Sequence, residues 1–402
     1  MKRTRHVVGG VLGVLILGVL AVAVMLSFNG RGQPPQSAAR LFQSVIPTPT
    51  SPSQPQAPTP TPAEPPRKGG QDSVLTYVPP EIVPDVLTEP VQITTWPAPR
   101  GELAVDGNYV VWSSYEDGQT NVVAYDLQTG EQRHISSSSG TISGLRISGN
   151  HVVWENVVDS AGTNVHGLWT YNLTTGIEMG VGSDASNPRS PDVSDSIVVW
   201  HDFRSYQSNE ETDIYGWDLK RRVEFPIVVG PGRHLFPRAS GDWIIYLDWL
   251  PGAQLGTPYP DQPTLHAHSI RTGEDINLGP VSYRNDAWSY KRHVISGHMV
   301  AWQGRDGATH LYDLAARRER LLAEPQSYDN LILNGRFLSS GTRLYNVETG
   351  AQLAPFQAFS IERPARATSI TTDGHTLAWI FNGASDNDNE GRIYVARFRR
   401  LP

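Results

Sequence analysis

Three groups of side chains in this chain could do chemistry. The run Trp200-His-Asp-Phe-Arg204 sets an imidazole, a carboxylate and a guanidinium within four residues. Asp202 and Asp248 together offer the two carboxylates a glycan lyase or hydrolase needs, if held about 5–10 Å apart. The plainer reading spends Asp202 and Arg204 on buried backbone groups and on pairing with Asp213. In a second group, Asp386-Asn-Asp-Asn-Glu-Gly391 places Asp386, Asp388 and Glu390 at alternate positions of a turn, hard oxygens of the kind calcium takes. An EF-hand loop also needs a Glu at its twelfth position, where this chain has Arg397, so the choice is between a looser calcium loop and an exposed acidic turn. The third group is rich in aromatics and Arg, frequent anchors of interfaces: Tyr115, Arg204, Tyr206, Asp248, Trp249, Tyr259, Trp288, Tyr290 and Arg305. No catalytic residue is assigned.

Several chemistries are excluded. The chain has no cysteine, hence no disulfide, no thiolate zinc site and no cysteine nucleophile. A Gly-x-Ser-x-Gly elbow, a His-Glu-x-x-His helix and a P-loop are all absent from the sequence. Ser114-Tyr-Glu-Asp-Gly-Gln-Thr120 resembles in part the Asp box of sialidases, with Glu116 in place of the Asp and Asn121 in place of the Trp. Such boxes are structural.

A repeat must position these residues. Leu103-Ala-Val-Asp-Gly-Asn-Tyr-Val-Val-Trp112 is followed by Val122-Val-Ala-Tyr-Asp-Leu-Gln-Thr-Gly130. Leu145-Arg-Ile-Ser-Gly-Asn-His-Val-Val-Trp154 and Leu168-Trp-Thr-Tyr-Asn-Leu-Thr-Thr-Gly176 repeat the pattern, as do Val193-Ser-Asp-Ser-Ile-Val-Val-Trp200 and Ile214-Tyr-Gly-Trp-Asp-Leu219. Taking Gly107, Gly149, Asp195, Gly241, Gly297, Gly335 and Gly374 as markers, the spacings are 42, 46, 46, 56, 38 and 39 residues. That is the period of a four-stranded propeller blade. The marker turns suit hairpins with positive φ, and the β-branched and aromatic runs beside them favour strands. The expected fold is all-β, a propeller over 91–402 with seven blades, or six if the thin unit Asn330–Leu353 is not one. The last unit lacks a fourth strand, and Val91-Gln-Ile-Thr-Thr95 has the character to supply it and close the ring. The five recurring tryptophans, Trp112, Trp154, Trp200, Trp302 and Trp379, read as packing between blades.

Units such as Trp200-His-Asp-Phe-Arg204 with Thr212-Asp-Ile-Tyr-Gly-Trp-Asp-Leu219 resemble TolB-type, WD40-like propeller repeats. The resemblance covers about residues 91–402, without the N-terminal domain of TolB. It departs from true WD40 repeats, since Gly297-His298 and Trp217-Asp218 are isolated. It implies extracytoplasmic protein interaction. Short turns would share one face of the ring, and the long B–C and D–A connections the other, with Asp202–Thr212, Asp248–Pro263 and Asn382–Arg392 the longest. The third group of residues falls on that long-loop face.

The N-terminus supplies the setting. A basic stub precedes Val7–Leu26, 20 uncharged residues, enough at about 1.5 Å each to span a bilayer core. Residues 1–28 read as a single-pass anchor with the propeller outside the cytoplasm, or as a signal peptide cleaved near Ala23. Residues 29–90, rich in Pro, Thr and Ser, read as a disordered stalk. Before residue 71 seven cations face one Glu, which is +6 and leaves −13 on the rest of a chain of net charge −7. An acidic globular part repels phosphate backbones, which argues against nucleic acid. The leading expectation is a membrane-anchored propeller that binds a protein or cell-envelope polymer. A glycan-active enzyme and a structural envelope scaffold are the alternatives.

Overall fold

The computed structural model describes Val74–Leu75 and residues 88–398, apart from 94–98, 161–162, 184, 207–210, 251–262, 283–291, 323–330, 336, 341–342, 349–351, 354–366 and 383–390. All described residues lie in the unit Pro62–Pro402. They form strands grouped into seven sheets, antiparallel but for the pairing made by Val74–Leu75. Ahead of the first sheet come β1 (Val74–Leu75) and β2 (Val91–Gln92). Blade 1 is β3 (Pro99–Asp106), β4 (Tyr109–Glu116), β5 (Gln119–Asp126) and β6 (Gln132–Ser138). Blade 2 is β7 (Thr141–Ser148), β8 (His151–Ser160), β9 (Thr163–Asn172) and β10 (Ile177–Val181). Blade 3 is β11 (Pro188–Ser194), β12 (Ile197–Asp202), β13 (Asp213–Asp218) and β14 (Val223–Val228). Blade 4 is β15 (Arg233–Ser240), β16 (Trp243–Trp249), β17 (Thr264–Ser269) and β18 (Asp275–Pro280). Blade 5 is β19 (His293–Ser296), β20 (Met299–Gln303), β21 (Thr309–Asp313) and β22 (Arg318–Leu322). Blade 6 is β23 (Leu331–Asn334), β24 (Phe337–Ser340), β25 (Arg343–Asn346) and β26 (Gln352–Leu353). Blade 7 is β27 (Ala367–Thr372), β28 (Thr376–Asn382) and β29 (Gly391–Arg397).

The molecule is a seven-bladed β-propeller. The thin sixth unit makes four short strands of its own, which removes the six-bladed alternative. Blade 7 takes its fourth strand from the other end of the sequence. Val91 pairs with Val395 and Gln92 with Tyr394, and the backbone bond from Ile93 N to Ile393 O continues the ladder. Val74–Leu75 falls inside the stretch read as a stalk, yet β1 lies parallel to β22 as a fifth strand on blade 5. Val74-Leu-Thr-Tyr-Val78 is the apolar, β-prone exception within that Pro-rich segment.

Two repeated devices finish the lower face. In the first, the residue closing the inner strand reaches to the turn of the next blade. Asp106 accepts from Gly149 N at 2.6 Å, Ser148 from Asp195 N at 2.9 Å and Ser194 from Gly241 N at 2.9 Å. Ser240 and Ser296 do the same for Gly297 N and Gly335 N, each at 2.8 Å. The turn residue sits at positive φ, +54° at Gly149 and +52° at Asp195. In the second device the Asp or Asn of the aromatic-Asp-Leu motif caps the outer turn. Asp126, Asn172, Asp218 and Asp313 each accept from the amides two and three residues on. This Asx geometry offers the backbone a ready turn, which is why the motif recurs. The tryptophans are buried where expected: Trp112, Trp154, Trp200, Trp302 and Trp379 are each at most 1% exposed. Trp154 packs with Ala104, Val111 and Val122 of blade 1, and Trp112 with Ala378 and Ile380 of blade 7.

Candidate functional site

The upper face, opposite those turns, is not uniform. Blade 1 crosses from β4 to β5 by the two-residue turn Asp117–Gly118, both at positive φ (+50° and +80°), a hairpin of the I′ kind. The stretch compared with an Asp box is this hairpin. β6 leads into β7 through Ser139-Gly140, and in blade 2 only residues 161–162 separate two ten-residue strands. The expectation of long upper connections throughout is therefore corrected for blades 1 and 2. The runs between β12 and β13 and between β16 and β17 are longer, as expected.

Four of the exposed large apolar residues stand on this face. Tyr115 (51% exposed) is next to last in β4, Val165 (54%) is the third residue of β9, Val229 (53%) follows β14 and Leu250 (75%) follows β16. These are the upper ends of four successive blades. The sequence reading found Tyr115 and missed the other three, because a single Val or Leu beside a loop has no motif. Their signal lies in the repeat: each stands where the period puts the upper end of a strand.

The other sequence-selected residues have different fates. Arg305 is exposed in the turn between β20 and β21. Tyr206 is half-buried, its ring 5.4 Å from that of Phe203, with the Arg233 guanidinium 5.5 Å above it. Trp249 is 1% exposed and packs with Leu235, Leu247 and Leu265 in the core, so it is corrected from surface anchor to core residue. It alternates with half-buried Asp248 along β16, and the pleat turns it inward. Tyr259, Trp288 and Tyr290, and the calcium candidates Asp386, Asp388 and Glu390, lie outside the described residues. Among the described residues no group of three His, Asp or Glu side chains is placed to hold a metal ion.

Arg204 and Asp202 serve the fold. Asp202 is fully buried and its carboxylate accepts five hydrogen bonds. They come from Ser186 Oγ (2.8 Å), Asn187 N (3.0 Å), Trp200 Nε1 (2.8 Å), Arg204 N (2.8 Å) and Arg204 Nη2 (2.8 Å). Burial alone would raise its pKa, but these donors hold it down at about 2. Arg204 also pairs with Glu224 at 2.7 Å and stacks 3.9 Å over the Tyr215 ring. Its partners are thus Asp202 and Glu224, in place of the Asp213 expected from sequence. Asp213 instead accepts from Ser205 Oγ and Gly230 N. A carboxylate so enclosed has no lone pair left for substrate. Asp248, at the matching place in blade 4, faces His234 and His266.

The inner strands enclose a cavity of about 360 Å³ along the axis. One wall is charged: Glu102, Arg146, Asp192 and Arg238 from blades 1 to 4. The facing wall is aliphatic, with Val294 and Ile332 at the positions equivalent to Arg146. Arg146 lies 3.4 Å from Glu102 and 3.7 Å from Asp192, and Asp192 accepts from Ala239 N at 3.0 Å, so one chain of contacts ties four blades. β-bulges make the wall. Gly144, Ser190 and Phe236 adopt positive φ (+61°, +51° and +56°) where the inner strands slip register before Arg146, Asp192 and Arg238. Two bulge amides are met by side chains of the preceding blade, Ser190 N by Glu155 at 3.0 Å and Phe236 N by His201 Nδ1 at 3.3 Å. Burial lowers the His201 imidazole to about pKa 3, so it is neutral and free to accept. The sequence reading treated these positions as ordinary strand.

No family model matches the chain, and no curated protein does. Solved structures do. TolB from Acinetobacter baumannii aligns at 12% identity over 73% of this chain and 65% of its own, with a TM-score of 0.39. The likeness is one of fold. BamB from Moraxella catarrhalis aligns at 14% identity over 78% of this chain and 86% of its own, TM-score 0.39. An oligogalacturonate lyase in complex with manganese aligns at 11% identity over 78% of this chain and 96% of its own, TM-score 0.48. The chain spans about two thirds of the length of the TolB structures it matches, 65% and 62%.

Proposed function

We propose that this chain is a membrane-anchored propeller, held outside the cytoplasm, that binds a protein or cell-envelope polymer through the upper face of blades 1 to 4. One observation carries the reading. Of the eight large apolar residues exposed among the described residues, four (Tyr115, Val165, Val229 and Leu250) stand at the upper ends of those four blades. They stand on four adjacent blades, whereas exposed Ile177 and Val223 mark the lower ends of blades 2 and 3 alone, and loops on a rigid scaffold are where binding residues tend to sit. The lower face supports the assignment by contrast, since its turns are capped by their own side chains. The anchor rests on the uncharged run Val7–Leu26, which lies outside the described residues; among the described residues no helix is long and apolar enough to cross a membrane.

The test compares wild type with the triple variant Tyr115→Ala, Val165→Ala, Leu250→Ala. Both are titrated against detergent-solubilised envelope proteins and against purified envelope polysaccharides. Interface anchors contribute upward of about 1 kcal/mol each, so the triple variant should lose well over tenfold in affinity for the true partner. Undiminished binding by a folded triple variant would count against this face.

A further inference from the structure

The upper end of blade 4 holds a cluster that neither the fold nor the binding face explains. In the ladder His234 lies opposite Asp248, and Tyr246 opposite His266. His234 Nδ1 is 3.1 Å from the Thr212 carbonyl, and His266 Nδ1 is 2.6 Å from the Asp275 carboxylate. A carbonyl and a carboxylate can only accept, so each Nδ1 must carry the hydrogen. In the neutral rings that leaves both Nε2 atoms as acceptors, His266 Nε2 with the Thr264 hydroxyl to donate to it. Both point at one carboxylate: His234 Nε2 is 3.5 Å from Asp248 Oδ1, and His266 Nε2 is 3.8 Å from Asp248 Oδ2. These gaps are longer than hydrogen bonds. Thr264 Oγ1, 3.2 Å from His266 Nε2, is the one hydroxyl bonded there among the described residues.

Lone pairs facing a carboxylate repel in a site this enclosed, where the side chains of His234, His266 and Asp248 are only 9%, 15% and 20% exposed. A proton between any two of them turns repulsion into a charge-assisted hydrogen bond. Blade 3 shows the contrast, for Asp202 at the equivalent position is already filled by five donors. We propose that His234, Asp248 and His266 form a proton-operated latch, in which uptake of one proton on mild acidification draws Asp248 onto an imidazole and closes the upper end of blade 4.

The surroundings favour one shared proton. Burial pushes the His234 imidazole down and the Asp248 carboxyl up, so the two approach each other in proton affinity. Asp213 on β13 and Asp275 on β18 add negative charge from the flanking strands. Asp275 is itself held ionised, against burial, by His266, His268 and the Tyr246 hydroxyl. The latch would be felt beyond blade 4. Thr212 O accepts from the backbone N of His234 as well as from its ring, which joins blades 3 and 4, and Asp248 is two residues before exposed Leu250. This inference holds whatever the upper face binds.

Nitrogen-15 NMR of the histidine side chains in the full chain, in detergent from pH 8 to 4.5, tests it, with assignment through His234→Gln and His266→Gln. At pH 8 both rings should show the Nδ1–H tautomer. Both should then respond in one coupled step, and Asp248→Asn should lower its midpoint by about one pH unit, a tenfold loss of proton affinity. Amide exchange at 247–250, corrected for its intrinsic pH dependence, should slow about threefold or more across the step in wild type and not in the variant. The Nε2–H tautomer in either ring at pH 8 would overturn the latch without recourse to any variant. So would two independent midpoints that Asp248→Asn leaves unmoved.

Discussion

Replacing Asp202 by Ala should destabilise the propeller sharply. The carboxylate is fully buried and receives five hydrogen bonds, one of them from the charged Arg204 side chain. The variant leaves all five donors, and a guanidinium whose remaining carboxylate is Glu224, beside a small void. Removing one partner of a buried, hydrogen-bonded charge pair costs about 3–5 kcal/mol. For a domain of this size each kcal/mol lowers Tm by about 2–3 °C, so the fall should be roughly 6–15 °C. Asp202→Asn keeps the shape and part of the accepting capacity and should lose less. The effect depends on pH in a definite sense. The folded-state pKa is about 2, below the ordinary 3.8, so the stabilisation stands in full above the usual carboxylate range. It is lost as pH falls from there through about 2, so the gap between wild type and variant should narrow on acidification, the void and the lost packing remaining. Differential scanning calorimetry at pH 7 and pH 3 reads both effects. A variant melting within about 2 °C of wild type at pH 7 would refute the structural role and return Asp202 to the candidates for chemistry.

Other expectations follow from the same packing. Ser240→Ala removes the acceptor of Gly297 N near the surface, so it should cost about 0.5–1 kcal/mol and speed exchange at that amide while others stay protected. His310 donates to Glu319 at 2.5 Å and to Asp306 at 3.1 Å; burial opposes its charge, but these bonds raise its pKa above 6.5. The stabilisation is therefore complete below pH 6.5 and lost as pH rises through the folded value, and His310→Gln should cost about 1 kcal/mol at pH 6 and less at pH 9 by thermal unfolding. Deleting residues 1–98 strips β2 from β29 and bares that edge, whereas deleting 1–87 does not. Both deletions also remove β1 from β22, so the two are compared with each other: the longer one should have the lower Tm and the stronger concentration-dependent association in light scattering.

The fold was legible because its information is periodic. Gly or Asp recurs at the lower turn of every blade and Trp at the equivalent place on the second strand of five of the seven, and each recurrence has a physical cause: positive φ in one case, a buried slot between blades in the other. The candidate site was less legible because it is made where the repeat is broken. Trp249 belongs to an aromatic-rich run beside a long loop, but the pleat that exposes Leu250 and half-buries Asp248 buries Trp249 completely. Arg204 looked available because its partner Glu224 is 20 residues away on another strand. Arg146, Asp192 and Arg238 sit three residues before their turn markers, a shared offset that sequence alone could have disclosed. The bulges that turn them into the channel could not be read, since Gly144, Ser190 and Phe236 share no residue type.

The working face is tested most directly by site-specific photocrosslinking in intact cells, with a benzophenone amino acid at one position at a time. Positions 115, 165, 229 and 250 report the upper ends of blades 1 to 4, and positions 177 and 223 report the lower ends of β10 and β14, where exposure is similar at 52% and 53%. A discrete adduct from at least two upper positions, and none from the lower pair, is the expected result. Adducts of equal yield from both ends, or from the lower pair alone, would contradict binding through the upper face.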